Sequence, residues 1–173
     1  EHWRLSMLGD ITIASELYIV CGYTDMRKSI DGLCTIIRDQ LHMEPGHSSA
    51  LYLFCGRRTD RIKGLVWEED GEIAGYCYAH PWKERAAYHN TLETTVYLSP
   101  KHFRKGIGSK LMQQLITHCR ADDKKVLIAC ITANNEASIK MHEALGFKQA
   151  SYFSKVGEKL GQTLDVIDMQ LTL

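Results

Sequence analysis

The run Arg104, Lys105, Gly106, Ile107, Gly108, Ser109 has the composition of an anion site. Glycines at 106 and 108 let the backbone approach a ligand with no Cβ in the way, and a helix opening there aims its first N–H groups at negative charge. Arg104 and Lys105 add positive charge, which makes a pyrophosphate the natural guest. A plain Gly-x-Gly turn with a solvated basic rim is the other reading of the same residues. The run lacks the third glycine of the dinucleotide fingerprint and the GK[ST] ending of a P-loop, so neither the common NAD motif nor the common ATP motif fits. A second grouping is Asn135, Ser138 and His142, which advance by three and four positions and so share one helix face.

The cysteines offer less chemistry. Cys21, Cys34, Cys55, Cys77, Cys119 and Cys130 are scattered through apolar segments without a CxxC pair, and the start of the sequence shows no signal-peptide pattern. They are expected to be reduced, buried thiols in a cytoplasmic protein. The eight histidines do not gather near them, so no metal is expected. His118 and Cys119 fall where a helix should be ending, and Cys119 reads as a small buried hydrophobe rather than a nucleophile.

The elements that must hold these residues follow from periodicity. Residues 16 to 21 read as a short strand, and 26 to 41 as a helix with Ile30, Leu33, Ile37 and Leu41 on one face, Asp25 as its N-cap and Pro45-Gly46 as its end. ALYLFC (50 to 55) and RIKGLVW (61 to 67) suggest a hairpin across GRRTD, and Asp70-Gly71 turns the chain into a strand over 72 to 79. The second half reads as a strand at 90 to 98, a helix to about 119, and a strand at 125 to 131 covered on both faces. A helix over 134 to 145 follows, opened by an asparagine cap and burying Ile139, Met141 and Leu145. Two last strands, 147 to 153 and 163 to 172, flank a turn-like VGEKLGQ. The order predicts an α/β mixed sheet with helices packed on its faces.

Composition bounds the function. A chain of 173 residues is one domain's worth of sequence. Its 21 Lys and Arg equal its 21 Asp and Glu, so no global basic field exists to hold nucleic acid or anionic lipid. No apolar run approaches the roughly 20 residues that span a bilayer.

From about Gly71 onward, the sequence resembles the GNAT superfamily of acetyl-CoA-dependent N-acetyltransferases, in its phosphinothricin and methionine sulfoximine acetyltransferase branch. RAAYHNTLETTVYLSP, HFRKGIGSKLM, NNEASIKMHEALGF and VGEKLGQTLDVIDMQ carry the resemblance, in the family's order and spacing. It implies a mixed, mostly antiparallel sheet with helices on both faces, and acetyl-CoA as cosubstrate. The amides of Arg104, Lys105, Gly106, Ile107, Gly108 and Ser109 would cradle the CoA pyrophosphate. The backbone of Val96, Tyr97 and Leu98 would pair with the pantetheine arm as an added strand, with a backbone amide near Leu98 as oxyanion donor. Phe103 departs from the family's Gln or Arg, which is expected to weaken CoA affinity without abolishing it. Glu93 stands at the glutamate of TxExxVY and would be the general base that deprotonates the acceptor amine, directly or through one water; pairing with Arg85 is the alternative. Asn135, Ser138 and His142 would face the thiol end of CoA, with His142 either protonating the departing thiolate or packing against CoA. Trp82, Arg85 and Tyr88 would bind a small amino-acid-like amine acceptor, Arg85 taking its carboxylate. Lys159 and Asp165 read as structural pairings of the final hairpin. Members of this family commonly pair as homodimers.

Before Gly71 the elements are atypical of that family. MLGDITIASELYIVCGYTDMRKSIDGL and LYLFCGRRTDRIKGLVWEEDG resemble a small accessory protein encoded beside the transposase in one group of bacterial insertion sequences. The chain is therefore expected to comprise a transposase-accessory-like segment, 1–70, and an acetyl-CoA-binding portion, 71–173, sharing one sheet. A non-catalytic mobile-element protein and a CoA-binding fusion without acceptor activity are the alternatives. The cluster Arg57, Arg58, Arg61 and Lys63 reads as a solvated turn rather than a DNA contact, because acidic residues interleave with it.

Overall fold

Alternating burial along the strands divides this protein into two apolar layers on either side of one sheet. The computed structural model describes residues 16–20, 24–25, 27–43, 49–56, 61–68 and 72–173. Eight strands run in the described residues: β1 (Glu16–Val20), β2 (Ala50–Cys55), β3 (Ile62–Trp67), β4 (Ile73–Pro81), β5 (Thr91–Leu98), β6 (Val126–Thr132), β7 (Lys148–Lys159) and β8 (Gln162–Thr172). They form one sheet in the order β1-β2-β3-β4-β5-β6-β8-β7. The β1–β2 and β5–β6 pairs are parallel and the rest antiparallel. Each parallel pair is bridged by a helix, α1 (Ile30–Leu41) and α2 (Ile107–Ala121), while α3 (Glu136–Ala144) leads from β6 to β7.

The helices take opposite faces. Leu33, Cys34 and Ile37 of α1 pack with Ala50, Tyr52, Phe54 and Leu65. Ile107, Leu111, Met112, Leu115, Ile116 and Cys119 of α2 pack with Leu51, Leu53, Cys77, Leu92 and Leu127. Neighbouring residues of β2 thus serve different layers, as the period of two requires. Each large side chain so buried stabilises by about 1.5–3 kcal/mol. The mixed α/β sheet with helices on both faces agrees with the expectation from sequence.

Several local expectations need correction. Helix α1 starts at Ile30 with Ser29 as its N-cap, not after Asp25. The Asp25 carboxylate instead accepts from the Arg27 backbone N–H (3.0 Å) and from its guanidinium, which fixes a turn before the helix. Cys34, Cys77 and Cys119 are buried, but Cys55 is half-buried and Cys130 is exposed, because Cys130 lies on the stretch of β6 past its pairing with β5. Burial pushes the Cys77 and Cys119 thiols up to about 12, which keeps them protonated and unreactive. Ile139, Met141 and Leu145 are only half-buried, and the fully buried residue of α3 is His142. Cys21, Pro45-Gly46, Arg57, Arg58 and Asp70-Gly71 lie outside the described residues.

The final hairpin is longer than its pattern suggests. β7 continues to Lys159, with a bulge between Phe153 and Gly157 where Lys155 takes φ 56°. Asp165 of β8 fills the bulge: its carboxylate accepts from the Lys155 N–H (2.7 Å), the Ser154 hydroxyl (3.4 Å) and the Tyr152 hydroxyl. The Tyr152 hydrogen bond, then the Lys155 amide, hold this carboxyl below the usual range. Lys159 pairs with Gln162, which leaves Leu160 and Gly161 as a two-residue turn. Both take positive φ, 52° and 73°, the type I′ pattern that favours Asn-Gly, and Leu160 is 95% exposed.

A left-handed leucine costs about 1–2 kcal/mol, and this one has no buried contact to offset it. Leu160→Asn is therefore expected to raise the unfolding free energy by about 1 kcal/mol in a denaturant titration. An unchanged midpoint would count against the turn. Loss of the Asn135 cap in Asn135→Ala should lower stability by about 1 kcal/mol in the same measurement.

Candidate active site

The site begins where two strands part. Parallel pairing of β5 with β6 runs from Thr91↔Val126 to Thr94↔Ala129 and stops. At the crotch the buried Thr94 hydroxyl donates to the Ile128 carbonyl (3.2 Å). Beyond it, among the described residues, β5 continues to Leu98 held only by β4, and β6 continues to Thr132 held only by β8. The β6-facing edge of Val96, Tyr97 and Leu98 is thus without a strand partner among the described residues, a row of backbone groups ready to pair. On the other side β4 comes in close at Gly75, where a Cβ would sit 2.6 Å from the Tyr97 carbonyl.

The glycine run lies at the mouth of this opening. Arg104 and Gly106 take left-handed conformations, φ 62° and 76°, and Gly106 is the N-cap of α2. Lys110 is the first residue to donate back to the Gly106 carbonyl (3.2 Å), so the N–H groups of Ile107, Gly108 and Ser109 have no acceptor within the helix. Arg104, Lys105 and Gly106 are exposed beside them, as is Phe103. A Cβ on Gly108 would press within 3.0 Å of the Met141 sulfur and 3.1 Å of a Leu98 methyl, so α2, α3 and the end of β5 meet at that residue. The Lys105 amine lies 3.3 Å from Nδ1 of the buried His102.

Glu93 projects from β5 onto the α1 side of the sheet, opposite His80 of β4. It is half-buried, with one carboxylate oxygen 4.0 Å from His80 Nε2. That histidine, not Arg85, is its basic neighbour among the described ion pairs. Tyr76, Tyr78 and His80 alternate along β4 and stack with centroid spacings of 6.4 and 5.8 Å, and Tyr97 leans on Tyr76 at 5.1 Å. This rail floors a cavity of about 960 Å³ that reaches under the start of α1 and out to Arg85. Sequence reading missed Tyr76, Tyr78 and His80, although a spacing of two on the strand predicted over 72 to 79 already places Tyr76 and Tyr78 on one face, with His80 one residue past its predicted end.

The other expected groups separate. Arg85 lines the cavity. Trp82 and Tyr88 instead pack edge to face at 5.3 Å, with the Lys83 amine 3.9 Å above the indole. On α3, the Asn135 side chain accepts from the Ser138 N–H (3.2 Å) as the helix cap. His142 Nδ1 lies 2.8 Å from the Ser138 carbonyl and 3.4 Å from its hydroxyl, and the ring meets Phe147 edge to face at 5.0 Å. Only a protonated Nδ1 can satisfy a carbonyl, which assigns the tautomer. Burial lowers this imidazole's pKa, so it is neutral at pH 7. Among the described residues, no helix is long and apolar enough to cross a membrane, and no three His, Cys, Asp or Glu side chains gather as a metal site.

Residues 30–147 match the Acetyltransferase (GNAT) family. The match starts within α1, some forty residues before Gly71. The chain is 39% identical over 109 residues to the L-amino acid N-acyltransferase MnaT of Escherichia coli (strain K12), covering 63% of each protein. It is 42% identical over 110 residues to a phosphinothricin N-acetyltransferase of Streptomyces viridochromogenes, covering 64% of this chain and 60% of that protein. Among solved structures it superposes with TM-score 0.63 on the yncA protein of Salmonella typhimurium, solved with acetyl-CoA, at 36% identity and 65% coverage of both chains. A phosphinothricin acetyltransferase from Sinorhizobium meliloti in complex with AcCoA gives TM-score 0.63 and 35% identity, over 65% of this chain and 61% of the other. The chain thus spans less than two thirds of the length of these relatives. With the parted strands, the left-handed glycine at the start of α2 and a family match over residues 30–147, the chain belongs to the GNAT acetyltransferase family.

Proposed function

We propose that this protein transfers an acetyl group from acetyl-CoA to the primary amine of a small amino-acid-like acceptor of the phosphinothricin or methionine sulfoximine type. The support that carries most weight is the open edge of β5 beside the uncapped first turn of α2. The residues present fit the cosubstrate: amides at a helix N-terminus without an acceptor in the helix suit a pyrophosphate, and an unpaired strand edge suits the amides of a pantetheine arm. When bound, acetyl-CoA supplies an activated thioester. The N–H groups of residues 104 to 109, with the Arg104 and Lys105 side chains, would hold its phosphates, and Val96 to Leu98 would align its arm.

Glu93 is the proposed base. An acceptor amine is an ammonium at neutral pH and cannot attack a carbonyl carbon until a proton leaves, and a half-buried carboxylate on the cavity side of β5 can receive that proton directly or through one water. Arg85 takes the acceptor's carboxylate, while Trp82 and Tyr88 brace the loop that carries it. His142 is assigned to orienting α3 against Phe147 rather than to proton donation, since its Nδ1–H is engaged by Ser138 and burial opposes the imidazolium. The neutral net charge supports a small-molecule partner rather than nucleic acid. We read residues 1–70 as transposase-accessory-like in ancestry, on the dense likeness in YTDMRKSIDG and GRRTDRIK, and 71–173 as the acetyl-CoA-binding portion. That ancestry supplies no reaction of its own.

Acetyl-CoA at one hundred times its Kd should stabilise the fold by about 2.7 kcal/mol, a rise in melting temperature of about 5–10 °C. Glu93→Gln should keep that rise and lose roughly 10²–10⁴ in turnover with any accepted amine. No thermal shift at saturating acetyl-CoA would remove the proposal.

The assignment of His142 has its own test. A histidine whose folded pKa lies below its unfolded value near 6.5 leaves the unfolded chain binding more protons under acid, so stability is fully present above pH 6.5 and is lost as pH falls toward the folded value. Burial lowers both His118 and His142 in this way. The melting temperature should fall below about pH 6.5, and His142→Gln should flatten that fall; kcat that drops with a neutral-pH step removed by the same substitution would instead restore the acid role.

A further inference from the structure

We infer that His80 is the second half of the proton acceptor: the proton that Glu93 takes from the amine passes to Nε2 of His80 and leaves from there through the cavity. The inference rests on the proposed acetyl transfer for the source of the proton, and goes beyond it in giving that proton a path and a destination.

The tautomer of the ring carries the argument. His80 Nδ1 lies 3.0 Å from the Pro81 carbonyl. A carbonyl only accepts, so Nδ1 holds the hydrogen and donates it. In the neutral ring Nε2 then presents a bare lone pair, and it faces a carboxylate oxygen of Glu93 at 4.0 Å. Two acceptors turned toward each other lack one proton between them. A water donating to both at ordinary hydrogen-bond lengths spans about this distance, and an added proton turns the pair into an imidazolium beside a carboxylate. The sheet holds the two groups in place: they stand directly opposite in the β4–β5 register, and the ring lies on Tyr78 with centroids 5.8 Å apart.

Placement and base strength point the same way. His80 borders the cavity together with Tyr78 and Pro81, and Glu93 stands one strand further on, so the imidazole lies between the carboxylate and the cavity. The two side chains are 38% and 32% exposed, open enough to exchange a proton with solvent. An ordinary imidazole is a stronger base than an ordinary carboxylate by about two orders of magnitude, so passing the proton on makes its removal from an ammonium less uphill. The ammonium N–H bond breaks and its electron pair stays on nitrogen. The Glu93 carboxylate receives the proton and hands it to Nε2, where an N–H bond forms, while Nδ1–H stays on the Pro81 carbonyl. After each turnover His80 returns that proton to solvent through the cavity, and both groups are as they began.

Single-turnover rates with acetyl-CoA bound, and with phosphinothricin or L-methionine sulfoximine as the amine, read the step directly. His80→Gln should slow acetyl transfer by about tenfold or more while both KM values stay within about twofold. His80→Ala should be slowed likewise and recover with added imidazole, in proportion to its neutral form; a ring that only packed on Tyr78 would not be replaced by a base from solution. His89→Gln, at another ring that borders the cavity with Nδ1 on the Ala86 carbonyl (2.8 Å), should leave the rate unchanged. Melting temperatures within a few degrees of the parent show that the variants fold. An unchanged rate in His80→Gln, or a loss in His80→Ala that imidazole does not relieve, overturns the inference. If neither amine is acetylated, long-range proton–nitrogen correlation NMR reads the ring itself. A hydrogen on Nδ1 and an Nε2 signal that moves in Glu93→Gln then keep the proton-sharing pair while the proposed acetyl transfer fails. A hydrogen on Nε2 instead, or a signal indifferent to Glu93→Gln, overturns the inference.

Discussion

The geometry of the candidate site depends on β5 and β6 pairing for four residues and then parting. Parallel strands joined by a helical crossover normally keep their ladder, since an unpaired backbone edge inside a protein leaves donors and acceptors unsatisfied. Here each strand keeps its other neighbour, β4 for β5 and β8 for β6, so neither loses its place when the ladder between them ends. Thr94 marks the last tie, its hydroxyl bonded to the Ile128 carbonyl. The gap then has two sides of different chemistry: an unsatisfied strand edge, and a helix N-terminus set against it through Gly108. A ligand that is amide-rich along its length and anionic at one end satisfies both at once.

The same register that builds the core also sets the polarity of the two faces. Along β5, Leu92 and Thr94 are buried on the α2 side, while Glu93 emerges on the α1 side against His80. Along β4, Ala74, Cys77 and Ala79 are buried, while Tyr76, Tyr78 and His80 make the stacked floor. A slip of one residue would bury Glu93 among leucines and expose Leu92, a change opposed by the whole apolar layer under α2. The position of the candidate base is therefore fixed by hydrophobic burial and needs no dedicated hydrogen bond.

Much of this was legible from spacing alone, and the failures have physical causes. The helices and the six-residue strand β2 follow from period and burial, and the Asn135 cap and a helix opening at the glycine run follow from residue type. The start of α1 lies beyond where periodicity places it because Asp25 spends its carboxylate on Arg27 in a local turn, and that choice cannot be told from a cap by residue type. β7 runs longer than its pattern predicts because a bulge filled by Asp165 interrupts its alternation, which makes the start of VGEKLGQ look like a turn. The exposure of Cys130 depends on where the β5–β6 ladder stops, which is a property of two strands together. The cavity is the extreme case, since β3, β4, the start of α1 and the loop around Arg85 each contribute a few residues that carry no common motif.

The contribution of the first third of the chain is energetic as well as geometric. In β2, Leu51 and Leu53 belong to the layer under α2, whereas Ala50, Tyr52 and Phe54 belong to the layer under α1, so a single strand supports both cores. Ile62 and Val66 of β3 join the first layer and Leu65 the second. Tyr76, which floors the cavity, packs on that second layer along with Trp67 and Ile73. Removing α1 and β2 would uncover several fully buried aromatic and aliphatic side chains, each a loss of about 1.5–3 kcal/mol, and would take away the support of the tyrosine rail before touching the strand edge that faces β6. Holding the strand edge open and walling the cavity proposed for the acceptor are thus tasks of different segments, coupled through β3 and β4, and a change in the early segment would be felt at that cavity before it is felt at the open edge of β5.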